Sequence, residues 1–260
     1  MKKNSQVLMT WSLRLKLMQT WQEITLNMNK FALVGKDIAH SRSPEMYRKL
    51  ISPDVHYDLL DYKDENDIPE ARDLLSRYDG INITSPYKKH FLSQVELTDS
   101  AKSLGAINCL KKGKDKIWGE NTDYLAIVDI LKDLQIKYGQ LEVVILGDGV
   151  MSVVAQQALK NLQLPFQLLS RKLTKDFNQL NLNDYFHEKN ARPLVINTCA
   201  REFVFSGNLP ITALFWDFNY DFTPHSSQLP AKTHQYKDGL EMLERQAFYA
   251  VAFWSDRKFS

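Results

Sequence analysis

The sequence has few cysteines, no excess of one charge and no long apolar run. Only Cys109 and Cys199 occur among 260 residues, too few for a disulfide framework or a cysteine-rich zinc site. The 33 basic residues nearly balance the 31 acidic ones, and a net charge of +2 gives no electrostatic footprint for nucleic acid. No uncharged stretch approaches the roughly 20 apolar residues of a membrane-spanning helix. These absences predict a cytoplasmic protein with reduced thiols and with no nucleic-acid or membrane partner.

The sequence does have an ordinary globular composition. Apolar residues make up 44% of the chain and charged residues 25%, which excludes disordered and fibrous proteins. A chain of 260 residues is long enough for one large domain or two modest ones.

Residues 1–27 stand apart from the rest. A basic start precedes apolar residues, as in a signal peptide, but Arg14 and Lys16 interrupt the apolar region. One interpretation is an amphipathic helix that binds a membrane surface or a partner, since apolar residues recur at helical spacing at Leu8, Trp11, Leu15 and Met18. The interpretation we favour is a dispensable extension, with the globular part starting at Met28.

Strand and helix patterns alternate along the rest of the chain in two blocks. The first block predicts strands at 31–35, 55–62, 81–84, 106–110 and 116–118, and helices at 43–50, 68–78, from Pro86 and at 122–137. The second predicts strands at 141–146, 166–169, 194–196 and 213–216, and helices at 150–162 and 240–254. Such alternation indicates an α/β protein with parallel strands and crossover helices. We expect two α/β units, with seams near residues 124 and 239.

A glycine-containing turn follows the apolar strand at 141–146. The pattern Gly147-x-Gly149-x-x-Ser152 opens a helix, the setting in which glycines let a backbone approach a pyrophosphate and a helix N-terminus attracts its charge. Ser152 is small enough for close helix packing. An ordinary strand-turn-helix would also explain the pattern, and Asp148 would repel a pyrophosphate.

The end of the next predicted strand is basic. A dinucleotide-binding site that prefers NAD has an acid about 20 residues after its glycines, but Ser170 and Arg171 stand there, with Lys172 and Lys175 nearby. Basic side chains suit a 2′-phosphate, so the sequence favours NADP over NAD.

Short polar strings place small hydroxyl and amide side chains at strand ends and helix starts. They lie at 39–44 (AHSRSP), 82–88 (NITSPYK), 105–108 (GAIN), 121–123 (NTD) and 239–246 (GLEMLERQ). Together they resemble the shikimate dehydrogenase family, whose patterns are H-S-x-S-P, N-x-T-x-P-x-K, G-A-x-N-T, N-T-D and G-x-x-M-L-x-x-Q. The resemblance runs from about Met28 to the C-terminus.

The resemblance implies a reaction, the reversible reduction of 3-dehydroshikimate to shikimate with NADPH, in aromatic amino acid and chorismate biosynthesis. It also implies that Lys88 and Asp123 are the catalytic pair. Hydride delivery to a ketone creates an alkoxide, which needs a proton donor and a nearby positive charge, and a lysine supplies both. We therefore expect no metal.

The resemblance implies two further sets of site residues. The substrate-binding set is Ser41, Ser43, Thr84, Asn108, Tyr220 and Gln246, with the two serines on the substrate carboxylate. The cofactor-binding set is Gly147, Gly149, Ser152, Ser170, Arg171, Lys175, Asn197 and Gly239. We also expect Ser43 to be the N-cap of its helix.

The resemblance gives the predicted units their roles. It implies a substrate-binding catalytic domain of residues 28–124 plus 240–260 and an NADP-binding, Rossmann-like domain of residues 125–239. The C-terminal helix is expected to pack back on the first domain. The expected assembly is a monomer or a homodimer.

Departures from the family concentrate on the cofactor side. The family's loop G-A-G-G-A is replaced by GDGVM at 147–151. The family's N-T-D-G is replaced by N-T-D followed by Tyr124. Its N-A-T followed by a Gly-Met pair is replaced by NTCA at 197–200. The first hypothesis is therefore an NADP-dependent shikimate dehydrogenase, or a relative acting on quinate or an amino analogue. The second is a binding or sensing protein that has lost hydride transfer. We favour the first, because a catalytic pair would be free to change in a protein that is not an enzyme.

Overall fold

Two β-sheets organise the chain, one in its first half and the other in its second. The protein is represented by a computed structural model, which describes residues 28–172 and 174–256. Both interpretations of residues 1–27 lie outside the described residues.

The first sheet has six strands in the order β2-β1-β3-β5-β6-β4. Strands β1 and β2 are parallel, as are β1 and β3, whereas β5 runs antiparallel to β3 and β6. The turn at Lys112 and Gly113 joins β5 to β6, as its sequence predicts. The strand bounds are β1 Lys30–Gly35, β2 His56–Asp61, β3 Gly80–Ile83, β4 Glu96–Leu97, β5 Cys109–Lys112 and β6 Ile117–Glu120.

Three short helices accompany the first sheet in the part of the chain that the structure describes: α1 Ser43–Leu50, α2 Ala71–Leu74 and α3 Asp99–Leu104. The prediction that Ser43 is an N-cap is wrong, because Arg42 holds that position and Ser43 is already helical. Helix α2 is much shorter than the predicted span of 68–78. Helix α3 was not predicted, although Thr98 caps it and Gly105 ends it with φ of +59°.

The helix predicted from Pro86 does not form, and residues 86–91 make turns instead. The carbonyl oxygen of Lys88 accepts a hydrogen bond from the backbone N–H of Ile107 at 2.8 Å. This carbonyl is therefore bound to a distant segment rather than to a helical turn. The result is an irregular segment that directs Lys88 inward.

The second sheet has five strands, all parallel, in the order β11-β10-β9-β7-β8. Its interior strand β7 is almost entirely buried, as expected for a parallel sheet covered on both faces. The bounds are β7 Leu141–Leu146, β8 Phe166–Leu169, β9 Arg192–Asn197, β10 Leu214–Asp217 and β11 Gln235–Lys237, with helices α4 Thr122–Tyr138, α5 Val150–Asn161, α6 Thr223–Gln228 and α7 Leu240–Trp254. The predicted α/β class with two units is confirmed.

Helix α7 belongs to the cores of both units. Near its start, Met242 joins the apolar cluster around α4, α5 and the second sheet. Near its end, Trp254 stacks on Phe31 of β1 with ring centroids 4.6 Å apart. The Trp254 indole N–H also donates to the carbonyl of Leu110 in β5 at 3.0 Å. The C-terminal helix thus packs back on the first sheet.

Candidate active site

A cleft of about 850 Å³ lies where strands of both sheets point their carboxyl ends at one another. Thr84, just after β3, lines it from the first unit. Gly147 after β7, Thr198 after β9 and Phe218 after β10 line it from the second. The carboxyl edge of parallel strands is where ligands bind in α/β folds.

Lys88 and Asp123 form an ion pair inside this cleft. Lys88 Nζ donates to Asp123 Oδ2 at 2.7 Å, and the two side chains are only 9% and 11% exposed. A buried charge is costly unless it is paired, so the ammonium and the carboxylate compensate each other at this depth. Asn121 sets the geometry of Asp123, because its side chain caps α4 by accepting from the backbone N–H of Tyr124 at 3.0 Å.

A second contact of Lys88 crosses the cleft. Lys88 Nζ lies 3.0 Å from the sulfur of Met151, in the first turn of α5. Met151 also packs against the apolar cluster of the second unit. The sequence analysis did not single out this contact, because it joins two units through a residue type with no motif of its own.

Polar side chains of three segments meet beside the ion pair. The backbone N–H of Thr122 donates to Asn108 Oδ1 at 2.7 Å, and Asn108 Nδ2 donates to Thr122 Oγ1 at 3.0 Å. Thr122 Oγ1 donates in turn to Gln246 Oε1 at 3.3 Å. Ser41 Oγ and Ser43 Oγ, which line the same cleft, lie 3.2 Å apart at the start of α1. This hydroxyl- and amide-rich wall suits a small polyhydroxy ligand.

The cleft also contains Asn82, which the sequence analysis quoted but assigned no role. Its Oδ1 accepts a hydrogen bond from the Tyr57 hydroxyl at 2.8 Å, and this fixes the orientation of the amide. Asn82 is 4% exposed and lines the cleft. Its place in the 82–88 string could have identified it, whereas Tyr57 lies in no motif.

The glycine loop after β7 leaves room for a ligand to contact the protein backbone. Gly147 has φ of +105°, and a Cβ there would lie 2.8 Å from Thr198 Oγ1, so only glycine fits. Gly149 is the N-cap of α5, and a Cβ there would meet open space. The N-terminus of this helix, which lines the cleft, is therefore accessible to a phosphate group.

The negative charge of Asp148, in the same loop, is not isolated. Its carboxylate lies 2.9 Å from Lys172 Nζ, and this hydrogen bond holds the pKa of Asp148 below its usual value. The basic cluster after β8 therefore balances the acid after β7. The loop and its surroundings fit the phosphates of a dinucleotide.

The remaining residues of the predicted cofactor-binding set differ in whether they line the cleft. Arg171 and Gly239 line the cleft, but Lys175 is exposed and is not among the lining residues. Ser152 and Ser170 are buried, and Ser152 Oγ accepts from Gln156 Nε2 at 3.2 Å.

Asn197 is fully buried and donates to Asp217 Oδ1 at 2.9 Å. Its amide therefore shapes the sheet end rather than the cleft wall.

Most of the predicted site residues come together in the cleft. Those that line it are Ser41, Ser43, Thr84, Lys88, Asn108, Asp123, Gly147, Gly149, Arg171, Tyr220, Gly239 and Gln246. Those outside its lining are Ser152, Ser170, Lys175 and Asn197.

A buried pair, His225 and Asp217, supports the cofactor-side wall. His225 Nδ1 lies 2.6 Å from Asp217 Oδ2, and both side chains are fully buried. The N–H of Phe205 donates to His225 Nε2 at 2.8 Å, so Nδ1 is the nitrogen that donates to the carboxylate. Asp217 Oδ1 also accepts from Asn219, which lines the cleft and donates to the carbonyl of Cys199.

Residues 28–172 and 174–256 contain neither a cluster of potential metal ligands nor a membrane-spanning helix. No group of three or more His, Cys, Asp and Glu side chains there is arranged to hold a metal ion. None of the helices in these ranges has the length and apolar character needed to cross a membrane.

Comparison with known proteins agrees with this architecture. Residues 33–110 match the family model of the shikimate dehydrogenase substrate binding domain. A shikimate dehydrogenase (NADP(+)) of Prochlorococcus marinus strain MIT 9215 is 30% identical in an alignment that covers 86% of this chain and 91% of that protein. The match to the shikimate dehydrogenase of Thermotoga petrophila is also 30% identical but spans only 59% of its length.

Solved structures share the fold over most of the chain. Shikimate dehydrogenase from Aquifex aeolicus aligns with a TM-score of 0.71 at 20% identity, covering 90% of this chain and 95% of that one. Shikimate 5-dehydrogenase from Thermus thermophilus, in complex with NADP(H) and shikimate, aligns with a TM-score of 0.67 at 24% identity, covering 88% of this chain and 94% of that one.

The fold and cleft define a two-unit α/β protein with a dinucleotide-type glycine loop opposite a polar pocket. At 30% identity over nine-tenths of a relative's length, the chain belongs to the shikimate dehydrogenase family.

Proposed function

We propose that this chain is an NADP-dependent oxidoreductase that reversibly reduces 3-dehydroshikimate to shikimate, with Lys88 as proton donor and acceptor. One observation carries the proposal: the buried Lys88–Asp123 pair lies in a cleft that also contains the polar pocket and the glycine loop. The named functions of the relatives support the choice of substrate and dinucleotide. We propose the domain roles and boundaries given above as part of the same assignment.

In the proposed reaction, the protein itself transfers a proton and stabilises the developing negative charge. NADPH, when bound, supplies the hydride for the carbonyl carbon. Lys88 Nζ gives a proton to the carbonyl oxygen, which becomes the hydroxyl, and its positive charge stabilises the oxygen as negative charge develops. In the reverse direction the neutral amine takes the proton back. Asp123 holds Nζ in place through the 2.7 Å hydrogen bond, so the donor is oriented before the substrate arrives.

Other residues bind and orient the ligands in this proposal. Ser41 and Ser43, at the start of α1, bind the substrate carboxylate, and Thr84, Asn108, Tyr220 and Gln246 bind its hydroxyls. The backbone N–H groups at the start of α5 hold the pyrophosphate, and Arg171 holds the 2′-phosphate. Gly239 also belongs to the proposed cofactor site, as do the more remote Ser152, Ser170, Lys175 and Asn197.

The decisive experiment is a shikimate-dependent NADP reduction assay on the full chain, repeated with quinate and with NAD. We expect saturable turnover with shikimate and NADP. The second candidate function is a protein that binds shikimate-like ligands without hydride transfer. Tyr124 and Met151 favour it, because both are larger than the residues of the family pattern beside the catalytic pair. Saturable shikimate binding with no turnover by either dinucleotide would establish that candidate.

Arg171→Ala is expected to weaken NADP binding about tenfold while changing NAD binding less than about threefold. A hydrogen bond between charged groups contributes roughly 1.5–3 kcal/mol, and an exposed side chain gives the low end of that range. Only NADP carries the 2′-phosphate, so only NADP loses the contact. Dissociation constants measured by calorimetry test the prediction.

The control is Lys175→Ala, which removes the same charge from a neighbouring exposed position. Because Lys175 is not among the cleft-lining residues, its effect on NADP should be the smaller one. Equal losses for NADP and NAD in Arg171→Ala would show that Arg171 does not bind the 2′-phosphate.

A further inference from the structure

The sulfur of Met151 covers part of the small surface through which Lys88 can reach a ligand. Lys88 Nζ has two partners, Asp123 Oδ2 at 2.7 Å and Met151 Sδ at 3.0 Å. The Lys88 side chain is only 9% exposed. Met151 comes from the opposite side of the cleft and lines it.

A substrate oxygen that takes a proton from Lys88 must come within hydrogen-bond distance of Nζ. The two existing partners differ greatly in strength. A carboxylate forms a short, charge-assisted hydrogen bond with an ammonium, whereas a thioether is a weak acceptor. The methionine side chain is also unbranched and flexible, and a cleft of about 850 Å³ gives it space to move. Of the two partners, the sulfur is therefore the one that an incoming oxygen can displace at the lower cost, with Asp123 left in place.

We propose that Met151 is a specificity-determining residue whose thioether competes with the reacting oxygen of the substrate for Lys88. The inference rests on the proposed function. A ring with a hydroxyl or keto oxygen at the reacting carbon displaces the sulfur, but a ring without that oxygen leaves the Lys88–Met151 contact intact. The family loop G-A-G-G-A has alanine at this position, and alanine is too short to reach across the cleft.

Met151→Leu tests the competition directly, because leucine keeps the apolar volume but lacks the acceptor sulfur. A typical hydrogen bond makes a modest net contribution, so we expect the dissociation constant for shikimate to fall about two- to tenfold without dinucleotide. NADP binding should change less than about twofold. The matched control is Met46→Leu, the same substitution in a buried core residue of α1 that does not line the cleft. It should leave shikimate binding unchanged.

A second measurement follows ligand binding in the wild-type protein. The chain contains 7 methionines, whose methyl carbons can be labelled and observed by NMR. The spectrum of Met151→Leu identifies the Met151 signal. We expect shikimate to shift that signal, and cyclohexenecarboxylate, which keeps the carboxylate but lacks the ring hydroxyls, to leave it in place.

The outcomes separate this inference from the proposed function. If the wild type neither binds nor oxidises shikimate, the proposed function is wrong and the inference falls with it. If the wild type oxidises shikimate but Met151→Leu binds it with unchanged affinity and the Met151 methyl signal stays in place, only the inference is wrong.

Discussion

Lys88→Ala is expected to reduce kcat for shikimate oxidation about a thousandfold. General acid–base catalysis by a positioned side chain contributes roughly 10²–10⁴ to the rate, and the variant also loses the positive charge that stabilises the alkoxide. The proposed substrate-binding groups on α1, on α7 and in the loops between strands stay in place, so the KM for shikimate should change much less than kcat. Steady-state kinetics in both directions measure the two effects separately.

Two further variants sharpen this test. Lys89→Ala removes the same side chain from the adjacent, exposed position and should retain nearly full activity. Lys88→Arg keeps a cation beside Asp123 but cannot give up its proton, so it should fold and remain inactive. Thermal unfolding establishes that each variant is folded. Activity of Lys88→Ala within tenfold of wild type would rule out Lys88 as the proton donor.

Arg245→Met is expected to lower the free energy of unfolding by about 3 kcal/mol. Arg245 on α7 is 3% exposed and forms ion pairs with Asp129 at 2.8 Å and Asp133 at 2.6 Å on α4, and with Glu241 on its own helix. Removing the cation takes away a charge that three buried or half-buried carboxylates share, although Glu241 keeps its ion pair with Lys237. The effect lies at the low end of the usual range for buried pairs because Asp133 is 42% exposed and partly solvated.

The comparison for this prediction is an ion pair at the surface. Lys102 and Asp99 lie 3.2 Å apart but are 62% and 100% exposed, so Lys102→Met should cost less than about 0.5 kcal/mol. Urea unfolding of the three proteins gives the values. A loss below about 1 kcal/mol for Arg245→Met would mean that packing, rather than charge, joins α4 to α7.

Local sequence patterns were sufficient to predict the strands and helices that form the cleft. The run LEVVIL at 141–146 predicts β7 with its observed bounds, and apolar spacing does the same for α7 at 240–254. Both signals depend on residues that are close in sequence. The grouping of Lys88 with Asp123 was found in a different way, through short strings whose order resembles a family.

Features that depend on distant partners were not predicted. Pro86 is a reasonable first residue of a helix, but the Lys88 carbonyl is bound by Ile107, and no local pattern reveals that partner. The sequence shows Asp148 only as an acid that would repel a phosphate, whereas the fold brings Lys172 to 2.9 Å from its carboxylate.

Helix α7 also constrains the order in which the protein can fold. Domains generally fold as units during synthesis, N-terminal first. Here the ring that stacks on Phe31 in the first strand belongs to Trp254, and a Cβ at Gly80 would lie 2.4 Å from that same indole. The aromatic core of the first sheet therefore cannot close until Trp254, far along the chain from Phe31, has left the ribosome. We expect the second sheet, whose strands are contiguous in sequence, to become ordered before α7 completes the core of the first sheet.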